Sequence, residues 1–159
     1  SKILPKEGTL FRNFLLKEVE ILNLLTLFRL KKANLGKEII KDFIILSGDK
    51  LKDSKTLSLA NLSELEQLSK ALEKTEYKNL IAKGIEEFKK NGSLITLETE
   101  LYKYLLKQST LFMHQHPLSI DVILGYMFAK DIESRNLKII VKGKQLGLSE
   151  EFIENQLVV

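Results

Sequence analysis

Twice along this chain the same polar signature, Glu-x-x-Asn-Leu, sits inside a long apolar run and is followed by a basic stretch and Leu-x-x-Glu. Laid over each other at a shift of 113 positions, residues 20–40 and 133–153 match at Glu20 with Glu133, Asn23 with Asn136 and Leu24 with Leu137. The register holds further on, at Lys31 with Lys144, Leu35 with Leu148 and Glu38 with Glu151. Matches that stay in register and include polar residues mark an internal duplication. The polar pair is the informative part. Tyr126, Ala129, Leu137 and Ile140 define a stripe expected to face a core, and Glu133 and Asn136 fall on it. Burying them unpaired would cost about 1–3 kcal/mol per group. A carboxylate and an amide three residues apart can bind each other or a neighbouring element, so Glu20, Asn23, Glu133 and Asn136 are read as structural markers of the repeat.

The rest of the pattern is helical. Two prolines and eight glycines in 159 residues, with 44% hydrophobic content, predict an all-α fold with an ample core. A long helix is expected from Thr9, its N-cap, and a short one after Asn34. The stretch "SGDKLKDSKT" reads as an exposed loop. Ser63 and Glu66 have capping-box spacing for a helix near Asn61, and the helix after Thr75 ends at Asn91-Gly92. A periodic helix follows from Ser93 to the region of His116, and Pro117 suits the start of the next. That helix runs from Leu118 to Lys144, and a short terminal helix is capped by Ser149. Two helical repeat units are expected, 1–92 and 93–159.

Several function classes find no support. Cysteine is absent, which removes disulfides, thiolate nucleophiles and Cys-based metal sites. The most apolar runs, "ILNLLTLF" and "VILGYMFA", are far shorter than the roughly 20 residues that span a bilayer. No secretory signal opens the chain, and Ser1 in place of Met is compatible with a truncated chain. "LGKE" fails the phosphate-loop test, with Lys31 where its first glycine belongs and Glu38 where Ser or Thr belongs. His114 and His116 point to different helix faces, so no catalytic, cofactor-binding or metal site is expected. Glu98 with Glu100 and Glu150 with Glu151 read as solvated or first-turn carboxylates, and Asp131 with Arg135 as an ordinary i,i+4 pair. The net charge of +4 is mild, and the stretches "RLKK" and "RNLKIIVKGK" lack the interleaved aromatics of a base-stacking platform.

"HPLSIDVILGYMFAKDIESRNLKIIVKGKQLGLSEEFIENQLV" resembles the C-terminal signature of the C-subunit family of archaeal and bacterial A-type (V-type) ATP synthases, related to the d subunit of the eukaryotic vacuolar ATPase. His116-Pro117-Leu118, Gly125-Tyr126, Ala129-Lys130, Glu133, Asn136-Leu137, Gly143-Lys144 and Gly147-Leu148 carry the likeness. Upstream, "EVEILNLLTLFRLKKANLGKEIIKDFII" and "LSELEQLSKALEKTEYKNLI" are similar to earlier parts of the same family. The likeness covers roughly residues 10 to 159, as the C-terminal portion of a longer chain. It implies three related domains forming a pseudo-threefold helical funnel, and a non-catalytic central-stalk rotor subunit. Such a subunit lies peripherally on the cytoplasmic face of the membrane and couples the central axle to the proteolipid ring, supporting proton or sodium transport. It implies no cofactor and no nucleic acid as partner. Lys31, Lys32, Lys142 and Lys144, expected to be exposed, are the candidate contacts with axle or ring. A helical nucleic-acid-binding module using the same cations is the competing reading, recognisable by a steep salt dependence.

Overall fold

Asn34 and Gly147 stand at equivalent places in the duplicated stretches, and both adopt left-handed backbone, with φ of 55° and 67°. Each ends a long helix: α1, Thr9–Lys32, and α7, Ile120–Gln145. The structure, a computed structural model, describes residues 9–62, 64–115 and 120–159. Among these residues every regular element is a helix. The others are α2 (Lys37–Asp42), α3 (Lys50–Ala60), α4 (Leu65–Ala71), α5 (Lys78–Asn91), α6 (Ile95–Gln115) and α8 (Glu150–Glu154). The two helix ends are closed by the same pair of bonds. Leu35 N–H donates to the Leu30 carbonyl at 3.1 Å and Leu148 N–H to the Gly143 carbonyl at 3.0 Å. Asn34 N–H reaches Lys31 O and Gly147 N–H reaches Lys144 O, completing a Schellman motif in each copy. Asn tolerates this backbone and Gly adopts it without steric cost.

The short helices α2 and α8 follow at once, with Gly36 and Ser149 each extended at the N-cap. Ser149 Oγ accepts from Phe152 N–H at 3.3 Å, as its position predicts. Ile40 and Ile153, equivalent residues on α2 and α8, are both buried. The duplication seen in the sequence is therefore a duplication of helix, left-handed turn and short helix.

The chain forms two compact units. One is Leu16–Glu98; the other is Thr99–Val159 with α1 up to Leu15. In the first unit, Ile21, Leu24, Leu25 and Phe28 of α1 are buried along with Leu68, Leu72, Tyr77, Ile81 and Leu97. Gly84 brings α5 against α6, since a Cβ there would lie 2.5 Å from Leu97 Cβ. Gly92, at φ 68°, caps α5 at the expected Asn91-Gly92 stop. In the second unit, Phe14 meets Phe128 edge to face with ring centres 5.2 Å apart. Arg135 stacks on Tyr102 at 3.9 Å, so the expected pair of Asp131 with Arg135 does not form.

One predicted loop is a helix. Asp49 caps α3 by accepting from the N–H groups of Leu51 and Lys52, and Asp53 reaches back to Ser47 N–H and Oγ, each at 2.8 Å, and to Gly48 N–H at 3.0 Å. The two carboxylates supply at the helix start what its polar side chains withhold from the core. Glu64 is the N-cap of α4 and makes no side-chain cap bond. Ser63, the side chain of Thr9, His116 and Pro117 lie outside the described residues.

Candidate functional site

The repeat markers separate into two kinds. Asn23 Nδ2 donates to the Ile45 carbonyl at 2.9 Å and its Oδ1 accepts from Ile45 N–H at 2.8 Å. Asn136 does the same to Val158, at 2.8 and 3.0 Å. Ile45 and Val158 are again 113 positions apart. Only a side-chain amide offers a donor and an acceptor side by side, so one Asn satisfies both backbone groups of a residue that has left its helix. This fastens the segment after each short helix to the middle of its long helix.

Glu133 has no such role. It is exposed and pairs with Lys130 at 2.5 Å, which raises the Lys130 pKa through that hydrogen bond. Tyr126 and Leu137 are exposed too, so the stripe expected to face a core faces outward over much of its length. The buried side of α7 instead follows Gly125, Ile132 and Gly143. Apolar residues occur all round this helix, and the sequence therefore gives no sharp phase. Glu20 is half-buried on the wall of a cavity of about 480 Å³ in the first unit, which Asn23, Lys52, Asp53, Lys74 and Thr75 also line.

Of the four lysines expected at the surface, Lys31 is buried. Its Nζ donates to the carbonyls of Ala60, at 3.3 Å, and Leu62, where α3 ends, and burial lowers its pKa. A cation at a helix C-terminus is favourably placed against the dipole. Lys32 is exposed, with its ammonium 5.8 Å from the Phe88 ring centre. Lys142 is exposed and makes no ion pair among the described residues. Lys144, also exposed, holds Glu150 at 2.5 Å, and this bond lowers the Glu150 pKa. His114 Nδ1 lies 2.8 Å from the Thr110 carbonyl of its own helix. Among the described residues no group of three or more His, Asp or Glu is arranged to hold a metal. No helix among them is long and apolar enough to cross a membrane.

Two surface features repeat and were missed from the sequence. Leu35 and Leu148 are 38% and 39% exposed, and Ile39 and Phe152 are 48% and 47% exposed. Equal exposure of large apolar groups at equivalent places means that each short helix presents an apolar tip. The shift of 113 positions, extended past the matched Leu35 and Leu148, was the signal that could have found them.

The family model described as ATP synthase (C/AC39) subunit matches residues 1–156 of the chain. The chain belongs to the ATP synthase (C/AC39) subunit family. The C subunit of the A-type ATP synthase of Methanococcoides burtonii is 41% identical over 155 residues, covering 96% of this chain and 42% of the relative. That of Methanosarcina acetivorans is 40% identical over 157 residues, covering 97% and 41%. That of Thermococcus kodakarensis is 34% identical over 148 residues, covering 93% and 39%. The chain thus spans about two fifths of the length of the curated relatives it matches. No solved structure matches it significantly.

Proposed function

We propose that this chain is part of a non-catalytic rotor subunit of a rotary ATP synthase, seated on the cytoplasmic face of the membrane. It couples the central axle to the proteolipid ring and so supports proton or sodium transport. Residues 1–92 and 93–159 act as successive helical repeat units, with Asn23 and Asn136 holding each short helix in place. Family membership supports the reading, and so do relatives named as the C subunit of an A-type ATP synthase. The observation that carries the contact surface is the repeated apolar tip, Leu35 with Ile39 and Leu148 with Phe152, equally exposed in the two copies. Apolar anchors rimmed by charge are what a protein interface needs. The exposed cation Lys32 meets acidic groups of neighbouring surfaces in the assembly; Lys31, committed to the end of α3, does not.

The test is co-purification, at near-physiological salt, with a detergent-solubilised proteolipid ring and separately with the soluble axle subunits of an A-type ATP synthase. Capture of either partner by the unaltered chain is expected. Ile39→Glu with Phe152→Glu should weaken that capture at least about tenfold, about 1.4 kcal/mol, with helical circular dichroism unchanged. Capture of neither partner, or capture indifferent to both substitutions, would refute the reading.

A further inference from the structure

The duplication permits a comparison between faces as well as residues. On α1, Ile21, Leu24 and Phe28 are buried, the last two at 3% and 0% exposure. Their equivalents on α7 are Ser134, Leu137 and Val141, and Leu137 and Val141 are 56% and 54% exposed. Ile123 and Met127 continue the same stripe toward the start of α7, also exposed. The face that the first repeat buries is open in the second.

What covers α1 is on view, because three cations of that helix reach into the segment from 60 to 98. Lys17 holds Glu76 at 3.1 Å, in the turn between α4 and α5. Arg29 grips both oxygens of Glu98 at 2.7 and 2.6 Å. Lys31 caps the carbonyls of Ala60 and Leu62. The equivalents on α7 are Lys130, Lys142 and Lys144. Each keeps its charge, yet Lys130 turns to Glu133 of its own helix, Lys144 to Glu150, and Lys142 to no carboxylate among the described residues. More than half of each relative's length lies outside the match, room for at least one further period of 113 residues.

We propose that this face of α7, with Ile123, Met127, Leu137 and Val141 at its centre and Lys130, Lys142 and Lys144 along it, docks a segment built like residues 60–98 of this chain, carried by another repeat of the family fold. The occupant brings two carboxylates and a helix C-terminus to the three lysines, and an apolar helix pair to the stripe. The inference rests on the duplication and not on coupling to axle or ring.

The chain contains no cysteine, so thiols can be placed one at a time. Leu137→Cys and Val141→Cys are each made in the isolated chain. They are also made in a cysteine-free chimera in which this chain replaces the matched stretch of the Methanococcoides burtonii relative. Lys107→Cys, at an exposed site on α6, is the control. Maleimide labelling should be fast at all three sites in the isolated chain, and at least about tenfold slower at 137 and 141, but not at 107, in the chimera. Equal rates at 137 and 141 in the two proteins would overturn the proposal. Protection in the isolated chain that grows with its concentration would also overturn it, by making a second copy the occupant. If the chimera fails to fold, the relative itself is given a thiol at the residue aligned with Leu137, and fast labelling there refutes the proposal equally.

Discussion

Asn23→Ala and Asn136→Ala remove chemically identical contacts from the two copies of one device, and the structure predicts similar costs. Each substitution deletes two hydrogen bonds, one to the N–H and one to the C=O of a single residue. A net bond contributes about 1 kcal/mol, and a backbone group left unsatisfied in the interior costs a further 1–3 kcal/mol. Asn23 is 3% exposed although Ile45 is 47% exposed, so its removal empties a buried place beside the half-exposed partner, and the loss is about 2–4 kcal/mol. Asn136 is half-buried but its partner Val158 is 1% exposed, so the N–H and C=O it releases find no ready replacement, and the loss is again about 2–4 kcal/mol. Urea unfolding followed by circular dichroism at 222 nm gives both values. A thermal melt should show each variant lower by about 4–16 °C, at 2–4 °C per kcal/mol for a chain of this size. The sites share no partner, so the double variant should be additive within about 0.5 kcal/mol. A change of less than about 0.5 kcal/mol in either variant would refute the clasp as a source of stability.

Gly84→Ala should destabilise by about 1–3 kcal/mol in urea, because its Cβ would press on the backbone and Cβ of Leu97; wild-type stability would mean that α5 and α6 can part without cost. Lys31→Glu should lower the melting temperature of the isolated chain before any partner is added, since it points a carboxylate at the carbonyls of Ala60 and Leu62; an unchanged melt would show that these carbonyls are satisfied otherwise. Asp49→Ala should cost about 1 kcal/mol through the loss of the α3 cap, measured by chemical denaturation. Hydrogen bonds from Ser47 N–H and Oγ hold the Asp53 carboxyl below its ordinary pKa. Its stabilisation is therefore complete above the unfolded value near 3.8 and is lost as pH falls through the lower folded value. Asp53→Asn should be less stable than the parent at pH 6 and converge with it in acid, and a gap that persists at pH 2 would contradict the assignment.

Helix periodicity and caps placed α1, α2, α5, α6, α7 and α8 from the sequence, because each has an apolar set or a cap whose spacing is local. α3 escaped since its stabilisation comes from Asp49 and Asp53 at its start and not from an apolar face, and polar composition alone resembles a loop. The repeat revealed Asn23 and Asn136 as a pair, but their partners lie 22 residues away in extended segments with no mark of their own. Glu133 was misread for a related reason: α7 has apolar side chains on both its covered and its uncovered face, so a stripe drawn through Tyr126 and Leu137 followed the wrong one. Burial of Lys31 depends on the carbonyls that end α3, and with α3 taken as a loop there was no helix end for an ammonium to meet. The apolar tips were legible in principle, since Leu35 and Leu148 were already aligned; what the sequence lacked was their exposure.

The asparagine clasp grips main chain alone, and this leaves the clasped residue's own side chain out of the contract. Ile45 turns a half-exposed side chain outward while Val158, held in the same way, is buried. A joint that is indifferent to the identity of what it holds lets duplicated copies drift apart, each adapting its surface to a different neighbour. The two clasped residues differ in this way, one half-exposed and one buried, around a fastening that has kept its atoms and its spacing.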